Sequence, residues 1–129
     1  MGRFSPTLMD HFESPRNLGR LEAPDLAGEA TLNGRAPAIQ VELQLQGHFI
    51  QQARFRASGC GVAIAAGSAL TELVVGRSID QCRQLGANDI DLALDGLPAD
   101  KWFCAVVAIS ALQNALGVCP EPPPGQKPT

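Results

Sequence analysis

The chain of 129 residues has no tyrosine, one tryptophan and five phenylalanines, so aromatic residues make up only 5% of it. Its core must therefore rest mainly on Leu, Val, Ile and Ala, within an ordinary apolar content of 45%. Charge of one sign is also scarce. Ten basic and thirteen acidic residues are interspersed without a long run and leave a net charge of −3. That balance argues against nucleic acid or an anionic membrane surface as the principal partner. No apolar run approaches the roughly 18 residues of a membrane span. The opening Met1-Gly2-Arg3-Phe4-Ser5-Pro6 has no apolar signal region, and Pro6 stands where a myristoylation motif requires Ser or Thr. The expected address is cytoplasmic. There, the cysteines at 60, 82, 104 and 119 read as thiols or ligands rather than as a disulfide framework. The length suits one domain, expected over residues 1–119, with a proline-rich flexible tail over 120–129.

What is present divides by periodicity. Ser5 caps a first short helix with Pro6 at its first position, and Leu8, Met9 and Phe12 form its apolar stripe until Pro15. Asn17-Leu18-Gly19 reads as a turn, and residues 20–28 as a surface connection. Strand signals follow. Ala30 and Leu32 alternate with polar neighbours up to Gly34. Ile39, Val41, Leu43 and Leu45 then alternate with Gln40, Glu42, Gln44 and Gln46, the period of a half-buried strand. Gly47-His48 reverses the chain into a strand with Ala53, Phe55 and Ala57 inward and Arg54 and Arg56 outward.

From Cys60 the period becomes helical, over 62–75 up to Gly76. Ser78 caps a short helix with Ile79, Cys82 and Leu85 on one face, which points Cys82 into the core. Asn88 or Asp89 caps another, and Asp100 caps a last, mostly apolar helix over roughly 101–118 with a narrow polar stripe of Ser110, Gln113 and Asn114. The expected core includes Val41, Leu43, Leu45, Phe55, Leu70, Val74, Ile109 and Leu112.

Two cysteines stand out by position. Cys60 lies between two glycines at a strand–helix junction, and Cys104 falls in the first turn of the last helix. Helix N-termini present unpaired N–H groups and the positive end of the macrodipole. Both favour the thiolate, the form that binds metal or attacks sulfur. Each is therefore expected to react faster with alkylating agents than Cys82. The spacing of the pair matches no short ligand motif such as C-x₂-C, so it says little by itself.

Four segments carry a family resemblance. Asp10-His11-Phe12-Glu13-Ser14-Pro15-Arg16-Asn17-Leu18-Gly19 resembles the opening signature of NifU/IscU-type iron–sulfur cluster scaffolds. The stretch from Ala53 to Ala65 is similar to the segment holding their second cluster cysteine, here Cys60. Ser68-Ala69-Leu70-Thr71-Glu72 with Gly76-Arg77-Ser78 resembles the "S–x–LTE" helix and its stop. Leu97 to Cys104 resembles the entry to the last helix, which holds the third cysteine. The resemblance runs over about residues 5–118. It implies a SufE/NifU-like α+β domain: a small three-stranded antiparallel sheet with helices packed on one face. It further implies a non-enzymatic scaffold that assembles iron and sulfide into a [2Fe–2S] cluster, receives sulfur from a cysteine desulfurase and serves apo iron–sulfur proteins.

The departures are specific. Arg35-Ala36-Pro37-Ala38-Ile39-Gln40 occupies the place of the family's first ligand cysteine and its neighbouring aspartate, and contains neither. Phe103 stands where a histidine precedes the third cysteine, and the chaperone-binding stretch reads Leu97-Pro98-Ala99-Asp100-Lys101. Of the expected ligands only Cys60 and Cys104 carry over, whereas an iron–sulfur cluster or a zinc ion takes four. His11 reads as structural or surface, and His48 as a polar turn residue.

Three readings stay open. The favoured one is a divergent scaffold or carrier in which Cys60 and Cys104 either hold iron transiently or bridge a [2Fe–2S] cluster between the two protomers of a homodimer. The second is a scaffold-like protein that binds a desulfurase or another assembly factor without a cluster. The third is a thiol relay in which Cys104 accepts persulfide sulfur and Cys60 resolves it as a disulfide.

Overall fold

The computed structural model describes residues 4–117; Cys119 and the stretch 120–129 lie outside them. The elements in chain order are α1 (Pro6–Glu13), β1 (Leu26–Leu32), β2 (Arg35–Gln46), β3 (Phe49–Ser58), α2 (Gly61–Val74), α3 (Ile79–Arg83), α4 (Ala87–Ala93), a 3₁₀ turn (Ala99–Lys101) and α5 (Trp102–Ala115). The strands form one antiparallel sheet in the order β1-β2-β3, so the expected α+β architecture is what forms.

Alternation decides the faces. Ile39, Val41, Leu43, Ala53 and Phe55 are buried beneath α2 and α5. The opposite face carries cross-strand Glu42 with Arg54 and Gln40 with Arg56. An ion pair of 3.9 Å also joins Arg56 to Glu42. One wet face is normal for an antiparallel sheet. Leu70, Val74, Ile109 and Leu112 are buried as expected. Leu45 is only half-buried, packed against the edge of the core, where the β2–β3 register shifts between Gln44 and Leu45.

Helix and strand ends differ from the expectations: β2 already begins at Arg35, ahead of the alternation from Ile39, and three further differences have local causes. β1 begins at Leu26, inside the stretch that reads as a connection, because Gly28 interrupts its apolar alternation. That glycine faces α5 so closely that a Cβ would overlap the Ala115 nitrogen. α4 starts from Gly86, and Asp89 serves it from inside by accepting the Gly86 N–H at 2.8 Å. Asp100 lies within the 3₁₀ turn, so α5 begins after Lys101 without a side-chain cap.

Asn17-Leu18-Gly19 is more than a turn. The Phe55 N–H donates to Asn17 O and the Gly19 N–H to Phe55 O, both at 2.9 Å. Part of the outer edge of β3 is thereby paired, which blunts it as a template for aggregation.

α1 is capped as expected: Ser5 Oγ accepts the Leu8 N–H at 2.9 Å, with Pro6 at the first position. Its buried residues are Leu8 and His11, while Phe12 stays 41% exposed. His11 Nδ1 and Ser68 Oγ on α2 share a hydrogen bond of 2.7 Å, and Ser68 Oγ also accepts the Arg16 N–H at 2.8 Å. Glu72 lies 3.6 Å from His11 Nε2 and 3.8 Å from Arg16 Nε. Asn17 Nδ2 donates to Thr71 Oγ1 at 3.1 Å. The first and third resemblance motifs are thus one polar network that holds α1 to α2. His11 is structural.

Two predictions follow from this packing. Leu112→Ala should destabilise by about 2–5 kcal/mol, and Gly28→Ala by about 1–3 kcal/mol through overpacking, both read by denaturant unfolding; unchanged stability would remove either residue from the α5–sheet contact. The second concerns pH. Burial, with the Arg16 charge, pushes the His11 pKa below its usual value against the pull of Glu72 and Asp10. The unfolded chain then binds this proton more readily. The contribution is complete above the unfolded value of about 6.5 and is lost as pH falls through the lower folded value. Thermal unfolding midpoints should drop between pH 7.5 and about 5.5, and His11→Gln should flatten that slope.

Candidate functional site

Cys60 is the N-cap of α2, extended at φ −110° and ψ 167°. Gly59 before it has φ +121°, a left-handed conformation that favours glycine, and its hydrogen side lies against Pro37. Gly61 after it lets the Phe12 ring lie on the first turn of the helix, where a Cβ would collide. Cys104 sits in the first turn of α5 and is fully buried. The fold brings these residues together from distant parts of the sequence: their Sγ atoms are 3.7 Å apart. Cys82 is buried elsewhere, its Sγ 3.9 Å from Val74 O.

The two thiols are electrostatically unlike. Partial burial raises the Cys60 pKa. The Ala63 N–H, the Cys104 thiol and the Val62 N–H, aided by the Lys101 charge, outweigh that and bring it below the ordinary thiol value. Cys104 is pushed up to about 12, first by burial and then by the charge and hydrogen bond of Cys60, against Lys101. Burial also raises Cys82, against Arg77. The shared helix-terminal placement of Cys60 and Cys104 therefore does not give them a shared environment. Depth overrides the helix end at Cys104.

Among the described residues, nothing near the pair completes a ligand set. Pro37 packs against Gly59, and Ala38 pairs with Ser58, where the resemblance would seek another cysteine. Phe103 lies under the Lys101 ammonium, 5.9 Å from its ring centroid. Among the described residues, no three of His, Cys, Asp and Glu gather where they could hold a metal ion.

A cavity of about 240 Å³ opens beside Cys60, lined by Phe4, Leu8, Met9, Phe12 and Lys101. Lys101 and this apolar wall were not legible as site components. Their only signals were the lysine three residues before Cys104 and the apolar stripe of α1.

A family model for the NifU-like N-terminal domain matches residues 3–121. The chain belongs to this family. The NifU-like chain is 42% identical over 123 residues to the nitrogen fixation protein NifU of Cereibacter sphaeroides, covering 90% of itself and 50% of that protein. It is 35% identical over 119 residues to the iron–sulfur cluster assembly scaffold protein IscU of Escherichia coli K12, covering 88% of itself and 91% of IscU. A bifunctional NifU/MnmA protein of Rubrobacter xylanophilus is 40% identical over 115 residues, of which the NifU-like chain spans 24%. The chain thus spans half or less of two of these three relatives. The crystal structure of a NifU-like N-terminal domain from Brucella abortus superposes with a TM-score of 0.71 at 11% identity, over 88% of this chain and 91% of that one. The same fold is built there from a very different sequence.

The asymmetry of the thiol pair generates a measurable order. With a limiting alkylating agent on the folded protein, Cys60 should be modified first, and Cys82 and Cys104 should label only on unfolding. The Cys60 rate should reach half its maximum below the ordinary thiol pKa of about 8.5. Peptide mapping of quenched samples checks both, and early label on Cys104 would contradict its burial.

Proposed function

We propose that this NifU-like chain is an iron–sulfur cluster assembly scaffold or carrier in which Cys60 and Cys104 hold iron or a [2Fe–2S] cluster as cargo. The supporting observation is the 3.7 Å separation of the two sulfurs. Metal–sulfur bonds of about 2.3 Å in tetrahedral geometry put neighbouring sulfurs roughly 3.8 Å apart. The pair therefore suits two adjacent corners of one metal ion without rearrangement, and Lys101 offsets part of the thiolate charge.

Among the described residues, one chain offers two adjacent thiolates, Cys60 and Cys104, and the cargo takes four. Two protomers, each giving Cys60 and Cys104 to one iron, make up the set, and two-fold symmetry is the commonest way for two copies to meet. The family relationship supports a cysteine desulfurase as sulfur donor, apo iron–sulfur proteins as recipients, and a scaffold rather than an enzyme. A second reading draws on the lack of a third donor among the described residues: a family member that binds a desulfurase or another assembly factor and carries no cluster.

Anaerobic reconstitution with ferrous iron and sulfide, followed by absorption spectra, metal analysis and native mass spectrometry, separates the two. The carrier should load one cluster per two chains. Cys60→Ser and Cys104→Ser should each abolish both cluster and dimer, while Cys82→Ser and Cys119→Ser should retain them. One cluster per chain in a strict monomer would overturn the bridge. No cluster under any condition would favour the second reading.

A further inference from the structure

We propose that Cys60 and Cys104 also act as a dithiol that exchanges with low-molecular-weight disulfides, with Cys60 as the entry thiol and Cys104 as the buried thiol that resolves the mixed disulfide. The inference rests on geometry and does not depend on the cluster reading. The two sulfurs are 3.7 Å apart, and a disulfide at about 2.05 Å needs them to close by less than about 2 Å. The movement falls on a turn rather than on a helix: Gly59 is left-handed and Cys60 is extended, both outside α2. Cys104 belongs to α5 and stays where the core holds it.

Access sets the direction. Cys60 is half-buried and borders the open cavity, whereas Cys104 has no exposed surface. An external reagent therefore meets Cys60 first. This reverses the order in the relay reading above, where Cys104 receives sulfur and Cys60 resolves. Apolar walls and a lysine among the lining residues suit one half of a small, carboxylate-bearing disulfide. A volume of about 240 Å³ is too small for a folded protein.

The step balances within the named reactants. Cys60 Sγ, having released its proton to solvent, attacks one sulfur of the disulfide; a Cys60–S–S–R bond forms and the other half leaves as a thiolate that takes up a proton. Cys104 Sγ then gives up its proton and attacks Cys60 Sγ, forming the Cys60–Cys104 disulfide and displacing the second half as a thiol. Two protein thiols are oxidised and one external disulfide is reduced. Closure removes both proposed cluster ligands at once, so the oxidised chain would be unable to load cargo.

Glutathione disulfide added to reduced, iron-free protein, with acid quenching and mass mapping, tests the order. Wild type should pass through a glutathionyl adduct on Cys60 and end as the Cys60–Cys104 disulfide without adduct. Cys104→Ser should accumulate the Cys60 adduct, and Cys104→Ala serves if the serine variant fails to fold. Cys60→Ser should remain unmodified at Cys104, and Cys82→Ser should behave as wild type. A stable adduct on wild type, an adduct on Cys104 in Cys60→Ser, or no reaction in wild type would each overturn the proposal. The wild-type time course alone is sufficient to do so. Iron is absent throughout, so failure here leaves the reconstitution result standing, and failure there leaves this one.

Discussion

The backbone of α5 lies directly on Gly28 of β1, and the Phe55 ring of β3 lies directly on Gly67 of α2. At each contact one partner lacks the Cβ that would push the layers apart, so both long helices sit closer to the sheet than side chains would normally allow. Protein interiors are packed as densely as organic crystals, and such contacts leave little freedom to slide. With both helices held this way, their N-terminal ends meet, and the meeting point is the Cys60–Cys104 pair. The separation of the two sulfurs is a consequence of helix placement. It does not come from any local motif.

The pair shows how one motif-level property divides under tertiary constraint. Both cysteines stand at helix N-termini, where N–H groups and the macrodipole favour a thiolate. At the border of a cavity those donors prevail. In the core the cost of burying a charge prevails, and two adjacent thiolates repel each other. The outcome is one accessible, acidified thiol above one inaccessible, protonated one. Lys101 serves both from outside the pair. A cation or a metal shared between the sulfurs would relieve the repulsion that otherwise keeps Cys104 protonated.

The polar network between α1 and α2 has a related logic. His11 and Ser68 are buried polar groups, and each satisfies the other, as buried donors and acceptors must. Their bond, with Arg16, Glu72, Asn17 and Thr71 around it, keeps α1 across the start of α2, where Phe12 rests on Gly61. At its other end α1 is tied to α4: Ser5 Oγ donates to Leu94 O and Thr7 Oγ1 to Asp95 Oδ2. The wall beside Cys60 is thus anchored at both ends.

The alternation from Ile39 to Gln46, the caps at Ser5 and Ser78, the stop at Gly76 and the inward phase of Cys82 were legible in the amino-acid sequence, because each depends on neighbours within a few residues. The four signature segments were enough to assign the family and thereby the α+β architecture. Less local features were not legible. The start of β1 hid behind Gly28, whose role appears only against α5, and Leu45 is only half-buried where the pairing with β3 shifts register. Sequence identified Cys60 and Cys104 as the candidate residues. Only the tertiary structure decided that they touch, that no third donor among the described residues joins them, and that one is open while the other is closed. Position along a helix is a property of the chain. Depth, and the dielectric that comes with it, exists only once the layers have packed.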